Sequence, residues 1–304
     1  GVFMAIKTFE ELMKAAQENG PLTVAIAAAH EQEILLAARD AEDLGIADCV
    51  LVGDRQSITS IAEKGEIDVK RMMIVHEPDP RLTARKVMEL VSLGHAQIAM
   101  KGKMETADFL RAALDKQYGI RSAGLLSHVG VFQIPDFDRL LFVSDAGVVV
   151  APDMTMKVEI VRNAIFVAQT LGVEFPKVAI LAATEMVHPK IPTTMDAANL
   201  AKMADRGQIS GGSVDGPLAL DNAISLESAA LKGIKSEVAG HADILITPDI
   251  EAGNLLAKAI TYFAHGRMAG IVVGGRAPLV VASRSDPHET KLVSMALGVL
   301  LASV

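Results

Sequence analysis

The sequence predicts an α/β protein with a mainly parallel β-sheet. Short runs rich in Val, Ile and Leu alternate with longer amphipathic stretches, which is the pattern of successive strand–helix units. The 304 residues, 50% of them hydrophobic and 22% charged, are enough for one large or two ordinary domains. No repeat and no flexible linker interrupts the pattern, so two domains would share a close interface, where a cleft is the default ligand site.

The predicted strands are the short apolar runs. In chain order they are Leu22–Ala29, Cys49–Val52, Met72–His76, Ala96–Met100, Lys177–Ala182, Asp243–Thr247, Ala269–Val273 and Pro278–Ala282. The predicted helices are the stretches between and after them: Glu31–Leu44, Pro80–Leu93, Thr106–Lys116, Thr155–Leu171, Thr194–Arg206, Ser225–Lys232, Glu251–Phe263 and Pro287–Ala302.

Two segments depart from this alternation. Residues 122–150 contain two apolar runs separated by Pro135–Arg139, which predicts paired extended segments rather than a helix. Residues 207–220 are rich in glycine but bounded by other elements, which predicts a strand flanked by functional loops.

Composition excludes several classes of function. The net charge of −8 argues against nonspecific nucleic-acid binding. The apolar runs are well short of the roughly 20 residues that span a bilayer, so we expect no membrane segment. The first residues lack a secretion signature, and a single cysteine fits a reducing compartment, so we expect a cytoplasmic location. Cys49 lies in an apolar run, which predicts a buried structural thiol rather than an acyl carrier.

The segment Ala99–Ala107 is the first junction between a predicted strand and a helix that offers an anion site. Ligands of α/β sheets bind beyond the carboxyl ends of strands, where a helix start presents unpaired amide donors. Lys101 and Thr106 are therefore phosphate candidates, and a solvated lysine pair is the alternative. Arg111 follows about one and a half turns after Thr106, where a surface position is equally compatible with the sequence.

The segment Ile246–Asn254 is a second such junction. Asp249 and Asn254 are the functional candidates because they follow the end of a strand. The alternative is that the acidic residues only cap the helix, and this applies chiefly to Glu251.

The segment Gly274–Asp286 is the third. It contains Arg276, and its strand delivers Ser283 and Arg284 at the carboxyl end, before Pro287 begins the last helix. A guanidinium suits forked recognition of phosphate, and a neighbouring hydroxyl can donate to a developing oxyanion. A helix cap with a surface charge is the alternative.

Other signatures are missing from the sequence. There is no Gly-x-x-x-x-Gly-Lys-Ser/Thr loop, no His-Glu-x-x-His, no cysteine pair and no Gly-x-Ser-x-Gly elbow. We therefore expect no metal site. Among the eight histidines His128 is the most interesting, with a hydrogen-bonded core histidine as the alternative.

Several segments taken together resemble the phosphate acetyl/butyryltransferase family, and phosphate butyryltransferases in particular. The resemblance extends from about Leu22 to Leu301 and its motifs occur in the family's order. They are Met100–Gly102, Leu126–Val129, Ile134–Leu140, Val214–Ala223, Glu251–Asn254, Ser283–Asp286 and Glu289–Leu292.

The resemblance implies a reversible reaction in which butyryl-CoA and phosphate give butyryl phosphate and CoA by direct transfer. CoA and phosphate are then substrates, and no tightly bound cofactor or metal is expected. It also implies two α/β domains of the isocitrate/isopropylmalate dehydrogenase-like fold with an interdomain cleft, and a homodimer. We expect a first domain of residues 1–135 plus 283–304 and a second of residues 136–282.

Residue roles follow from the same resemblance. It implies that Ser283 steadies the tetrahedral oxyanion and that Arg284 holds phosphate. The family's pattern Thr-Ala-x-x-x-x-Arg matches Thr106, Ala107 and Arg111, implying that Arg111 holds an anionic ligand.

The remaining phosphate- or CoA-binding candidates are Ser127, His128, Asp145 and Arg276. Related acetyltransferases carry an aspartate base where this chain has Thr290. Glu289, Asp286 and His128 are the substitutes for that base.

Three other functions compete with this interpretation. Phosphate acetyltransferase is the nearest, because one methylene in an acyl pocket is worth only about 1–3 kcal/mol. A metal-dependent decarboxylating dehydrogenase shares the implied fold but requires an aspartate cluster and a nicotinamide site that the sequence does not display. A non-catalytic binding protein with two lobes would lack CoA-dependent turnover.

Overall fold

The computed structural model describes residues 4–304 as a mixed α/β protein. Its strands in chain order are β1 Leu22–Ala27, β2 Ala47–Gly53, β3 Met73–His76, β4 Ile98–Lys101, β5 Ser127–Gln133, β6 Leu141–Ser144, β7 Lys177–Leu181, β8 Ser213–Leu218, β9 Ile244–Ile246, β10 Arg267–Val273 and β11 Leu279–Val280. Its helices are α1 Phe9–Asn19, α2 Gln32–Asp43, α3 Arg55–Lys64, α4 Pro80–Ser92, α5 Thr106–Ala113, α6 Met154–Thr170, α7 Pro192–Asp205, α8 Leu220–Ile224, α9 Leu226–Leu231, α10 Ile250–Tyr262 and α11 His288–Ala302.

Local chemistry explains where several helices begin. Asp54, Asp79 and Asp153 precede α3, α4 and α6, and each side chain accepts a hydrogen bond from a backbone N–H of the first turn. Pro80 occupies the start of α4, where its missing N–H costs nothing. Every strand and helix predicted from the sequence is present, with bounds shifted by a few residues, and α1, α3 and α8 are additional.

The chain divides into two compact units. One unit comprises Phe9–Gly124 and Ala269–Val304. Its strand order is β3-β2-β1-β4-β11-β10, all parallel except the antiparallel pair β10 and β11. Helix α11 is buried from Lys291 to Leu301. We call this the Ser283 unit.

The other unit comprises the residues up to Thr8 and Leu125–Met268, and we call it the Asp145 unit. Its strand order is β5-β6-β9-β7-β8. Strands β5 and β6 are antiparallel, which confirms the paired extended segments expected between residues 122 and 150. Strand β8 confirms the strand expected between residues 207 and 220.

The units differ from the expected domains in their bounds. The chain changes unit at residues 8/9, 124/125 and 268/269, whereas the sequence predicts boundaries only at 135/136 and 282/283. The reason is strand pairing: β5 pairs with β6 and joins the Asp145 unit, while most of β10 joins β11 in the Ser283 unit.

Within residues 4–304, the helices are all too short or too polar to cross a bilayer.

Candidate active site

The carboxyl ends of three neighbouring strands assemble the first cluster of candidate residues. In the Ser283 unit, β1 pairs with β4 and β4 pairs with β11, so Ala27 lies beside Lys101 and Val280 beside Met100. Gly102 makes the junction possible, because a Cβ there would lie 2.3 Å from the carbonyl oxygen of Ala27. The Gly102 N–H instead donates to that oxygen at 2.8 Å.

Lys101 is buried at this edge, and its ammonium is held by backbone. Its Nζ donates to the carbonyl oxygens of Gly102 at 3.2 Å and Met104 at 3.1 Å. Burial lowers the pKa of Lys101, and the nearby charges of Arg284 and Lys291 lower it further. An ammonium with three donors and two carbonyl partners retains one donor for a ligand.

Ser283 and Asp286 form a tight turn after β11. The backbone N–H of Ser283 donates to Asp286 Oδ2 at 2.8 Å, and the N–H of Asp286 donates to the Ser283 carbonyl at 3.1 Å. The Ser283 hydroxyl lies 3.0 Å from that of Ser285 and is solvent-exposed. The hydroxyl is therefore accessible while its backbone is held.

Arg284 reaches the start of α5. Its Nη2 donates to Glu105 Oε1 at 2.6 Å, and Thr106 is the first residue of that helix. The amide donors of a helix start and a guanidinium are both suited to an anion. Arg111 lies in the last turn of α5, largely exposed, and donates to Asp108 at 2.5 Å.

Lys291, which the sequence did not single out as a site residue, holds the same turn from α11. Its side chain is buried, and its Nζ donates to the carbonyl oxygens of Ser283 at 3.0 Å and Asp286 at 2.6 Å. The sequence offered no signal for it beyond its place in the motif Glu289–Leu292, because a lysine inside a helix is most often a surface residue.

Glu289 is the second residue of α11. Its side chain is exposed, and its Oε1 lies 3.4 Å from His288 Nε2. His288 in turn faces Glu33, whose Oε2 accepts a hydrogen bond from the His288 backbone N–H at 2.7 Å. A carboxylate with an imidazole beside it is a reasonable proton acceptor.

Arg276 does not join this cluster. It lies in the loop between β10 and β11, before the amino end of β11, and β11 is parallel to β4. It is therefore at the opposite edge of the sheet from Lys101 and Ser283. Its Nη2 donates to the Gly119 carbonyl at 2.7 Å and to Ser92 Oγ at 3.2 Å, so the guanidinium links the loop after α5 to the end of α4.

The second cluster lies in the Asp145 unit and is assembled by the β5–β6 hairpin. Because the strands are antiparallel, the start of β5 lies beside the end of β6. Asp145 is buried there, and its carboxylate accepts four backbone N–H bonds of 2.8–3.2 Å, from His128, Gly147, Val148 and Val149. The carboxylate thus organises its own loop and the backbone of His128.

Ser127 and His128 are both buried beside this loop. Ser127 Oγ accepts a hydrogen bond from Asn163 Nδ2 at 2.7 Å. The His128 carbonyl accepts from Ser144 Oγ at 2.7 Å, and the imidazole lies against Gly147.

Asp249 and Asn254 lie on the neighbouring α10. Asp249 is the N-cap of that helix, and its side chain accepts from the Ala252 N–H at 2.8 Å, as the capping alternative predicted. Asn254 Nδ2 donates to the Ala146 carbonyl at 3.4 Å. Gly253 allows the helix to approach, because a Cβ there would lie 2.4 Å from the Asp145 carbonyl oxygen.

Cys49 is buried in β2, as predicted, and burial raises the pKa of its thiol. Within residues 4–304 no group of three or more potential His, Cys, Asp or Glu ligands comes together.

Comparison with known proteins identifies the family of this chain. The model of the phosphate acetyl/butaryl transferase family matches residues 79–299. A phosphate butyryltransferase of Clostridium acetobutylicum is 48% identical over 297 residues, covering 98% of this chain and 99% of that protein. A phosphate acetyltransferase of Thermotoga maritima is 43% identical, covering 96% of this chain and 99% of that protein.

A solved structure agrees with these relatives. The crystal structure of a branched-chain phosphotransacylase from Enterococcus faecalis V583 has a TM-score of 0.81 and 32% sequence identity, and the match covers 92% of this chain and 99% of that one. With most of the chain matched by the family model and by relatives above 40% identity, the protein belongs to the phosphate acetyl/butaryl transferase family of enzymes.

Proposed function

We propose that this chain transfers a short-chain acyl group between CoA and inorganic phosphate, with butyryl-CoA and phosphate giving butyryl phosphate and CoA. The observation that carries the proposal is the Ser283–Arg284 pair, which lies at the same sheet edge as the buried ammonium of Lys101 in a chain of this family. An exposed hydroxyl beside two cations matches the needs of an anionic substrate and an oxyanionic transition state.

The chemistry needs one tetrahedral intermediate. A phosphate oxygen attacks the thioester carbonyl carbon, a C–O bond forms, and the C–S bond then breaks so that sulfur leaves with the electron pair and is protonated to the CoA thiol. Ser283 donates to the oxyanion, and positioning of both substrates supplies the rest of the acceleration. Direct transfer fits a chain whose one thiol, Cys49, is buried in a strand.

Arg284 and Lys101 hold the phosphate in this proposal. Arg284 exchanges its partner Glu105 for phosphate, and Lys101 contributes its remaining N–H donor. Thr106 and the start of α5 add backbone donors, and Arg111, further along the exposed face, binds an anionic part of CoA.

Glu289 is the proposed proton acceptor for the CoA thiol in the reverse direction. Asp286 is less suited because its carboxylate already accepts the Ser283 N–H, and His128 is buried in the other cluster. Glu289→Gln is expected to slow thiol attack by about 10²-fold, as measured by initial rates in the reverse direction.

The Asp145 unit contributes substrate contacts through Ser127, His128 and Asn254, while Asp145 and Asp249 keep their loops in place.

The proposal includes the isocitrate/isopropylmalate dehydrogenase-like fold and its interdomain cleft. It also includes a homodimer and a cytoplasmic location. Light scattering on the purified protein tests the dimer.

Steady-state kinetics on Ser283 and Arg284 variants test the site. Ser283→Ala is expected to lower kcat by about 10²–10³-fold with little change in either KM, because the lost interaction strengthens only in the transition state. Arg284→Ala is expected to raise the phosphate KM, because it removes a charged hydrogen bond that contributes about 1.5–3 kcal/mol to binding. Arg284→Lys is expected to recover only part of this lost binding energy.

Arg85→Ala is the matched control, since Arg85 also forms an exposed pair with a glutamate, Glu89, in the same unit. It is expected to behave as wild type. Wild-type kinetics in both Ser283→Ala and Arg284→Ala would remove this pair from the active site.

Acyl preference is a separate question, because relatives named for butyryl and for acetyl transfer are similar to this chain to nearly the same degree. Initial rates with acetyl-, propionyl- and butyryl-CoA at fixed phosphate decide it. We expect butyryl-CoA to give the highest kcat/KM, and a higher value for acetyl-CoA would identify a phosphate acetyltransferase.

A further inference from the structure

Lys291 is a buried cation without a carboxylate partner. Lys291 is 2% exposed, and among residues 4–304 no acidic side chain lies within ion-pairing distance of its ammonium. Its hydrogen bonds go to two carbonyl oxygens, those of Ser283 and Asp286. A buried charge compensated only by neutral dipoles costs free energy that an apolar side chain would not.

The surroundings add to this cost. Lys291 is the fourth residue of α11, where the positive end of the helix dipole disfavours a cation. Lys101 and Arg284 are close enough for their charges to interact with one another, and Lys291 acts on Lys101 in the same way. Stability alone does not explain a lysine at this position.

The geometry of the turn supplies the explanation. The Ser283 carbonyl accepts from both Lys291 Nζ and the Asp286 N–H, and the Ser283 N–H is held by Asp286 Oδ2. Lys291 also binds the Asp286 carbonyl, so a single ammonium spans the first and last residues of the turn. With both peptide groups of Ser283 engaged, the Ser283 side chain starts from a fixed backbone.

We propose that Lys291 is a positioning residue for acyl transfer, which holds the Ser283–Asp286 turn so that the Ser283 hydroxyl meets the oxyanion. The inference rests on the proposed function, because it gives Lys291 no role except through Ser283. A catalytic donor displaced by about 1 Å can lose about 10²-fold in rate, so the ammonium acts on kcat rather than on substrate binding.

A double-mutant cycle on the full-length enzyme tests this. Lys291→Met replaces the ammonium with an apolar chain of similar length, and we expect kcat to fall about 10–100-fold while both KM values change less than about threefold. In the Ser283→Ala background the same substitution is expected to cost less than about threefold, because the group it positions is already gone.

Two further variants separate positioning from folding. Lys157→Met is the matched control. Lys157 is also buried but pairs with Asp196 in the Asp145 unit, and the kcat of this variant should stay at the wild-type value. Lys291→Arg keeps the charge and the donors, so it is expected to recover part of kcat. If Lys291→Met does not fold, the cycle is run with Lys291→Arg, whose smaller loss must likewise vanish in the Ser283→Ala background.

The outcomes are distinct. Wild-type kcat in folded Lys291→Met, or losses that multiply with those of Ser283→Ala, would overturn the positioning role and leave the proposed function intact. Wild-type kcat in Ser283→Ala would overturn both the active-site assignment and this inference.

Discussion

Arg284 forms an ion pair with Glu105, although both side chains are mostly exposed. An exposed ion pair contributes only about 0–1 kcal/mol, so phosphate can displace the glutamate at little cost. The pair keeps the guanidinium at the start of α5, where the phosphate is proposed to bind. In the proposed function, Glu105 therefore competes with phosphate for Arg284.

Removing this competitor is expected to tighten phosphate binding. Glu105→Gln should lower the phosphate KM by about two- to fivefold, corresponding to the strength of an exposed pair, without changing the KM for butyryl-CoA. Glu89→Gln, which breaks the exposed pair with Arg85, is the control. A phosphate KM that rises in Glu105→Gln would show that Glu105 instead helps to orient Arg284.

Asp145 shows the opposite case, a buried carboxylate that is fully engaged with backbone. Asp145→Asn replaces one acceptor oxygen with an amide that faces N–H groups, so about 3 kcal/mol or more of the free energy of unfolding should be lost. Urea unfolding measures this. Asp138→Asn, at an exposed position, should leave the unfolding midpoint unchanged.

At the scale of elements, the site depends on how closely β1 and β4 approach. The N–H groups of Gly102 and Lys103 donate to the carbonyl oxygens of Ala27 and Ala28 at 2.8 Å, which joins the ends of the two strands. A Cβ at position 102 would lie 2.4 Å or less from both oxygens, so every residue other than glycine would clash with the backbone there.

Gly102→Ala is therefore expected to push the strand ends apart. We expect a loss of about 1–3 kcal/mol in stability and, because Lys101 moves with the strand, a rise in the phosphate KM. Gly65→Ala is the control, since its Cβ would meet chiefly side-chain atoms of Ile67, at 3.0 Å and 3.2 Å, rather than backbone oxygens below 2.5 Å. Unchanged phosphate kinetics in Gly102→Ala would separate this junction from the phosphate site.

At the scale of the whole molecule, stability should decline in mild acid through His30. Burial lowers the pKa of His30 below its usual 6.5, and the Lys103 charge lowers it further, against smaller opposing effects of Asp54 and Glu31. The unfolded chain therefore binds this proton more readily than the folded chain. The contribution of neutral His30 to the stability of the fold is fully present above pH 6.5. It is lost as the pH falls through the pKa of His30 in the folded chain.

Replacing His30 with glutamine removes this contribution. The fall in Tm between pH 7 and pH 5 should be smaller in His30→Gln than in the wild type, as measured by thermal unfolding across that range. His241→Gln, at an exposed position, should retain the wild-type slope. An identical slope in His30→Gln and wild type would assign the acid sensitivity to other groups.

The sequence by itself determined the order and type of nearly all elements, because apolar period, caps and breakers act within a few residues. It also placed Ser283 and Arg284 shortly after a strand and predicted the β5–β6 pairing, since each depends on a contiguous segment. The family resemblance supplied the chemistry, which the segments alone left at the level of anion-binding junctions.

Only the tertiary structure decided which candidates share a sheet edge. Arg276 resembles an anion ligand in the sequence, yet parallel pairing of β11 with β4 carries it to the edge opposite Lys101. Lys291 resembles a surface lysine, yet burial of α11 turns its ammonium onto the Ser283 turn. Both outcomes depend on the pairing of strands and helices distant in the chain, which no local pattern encodes.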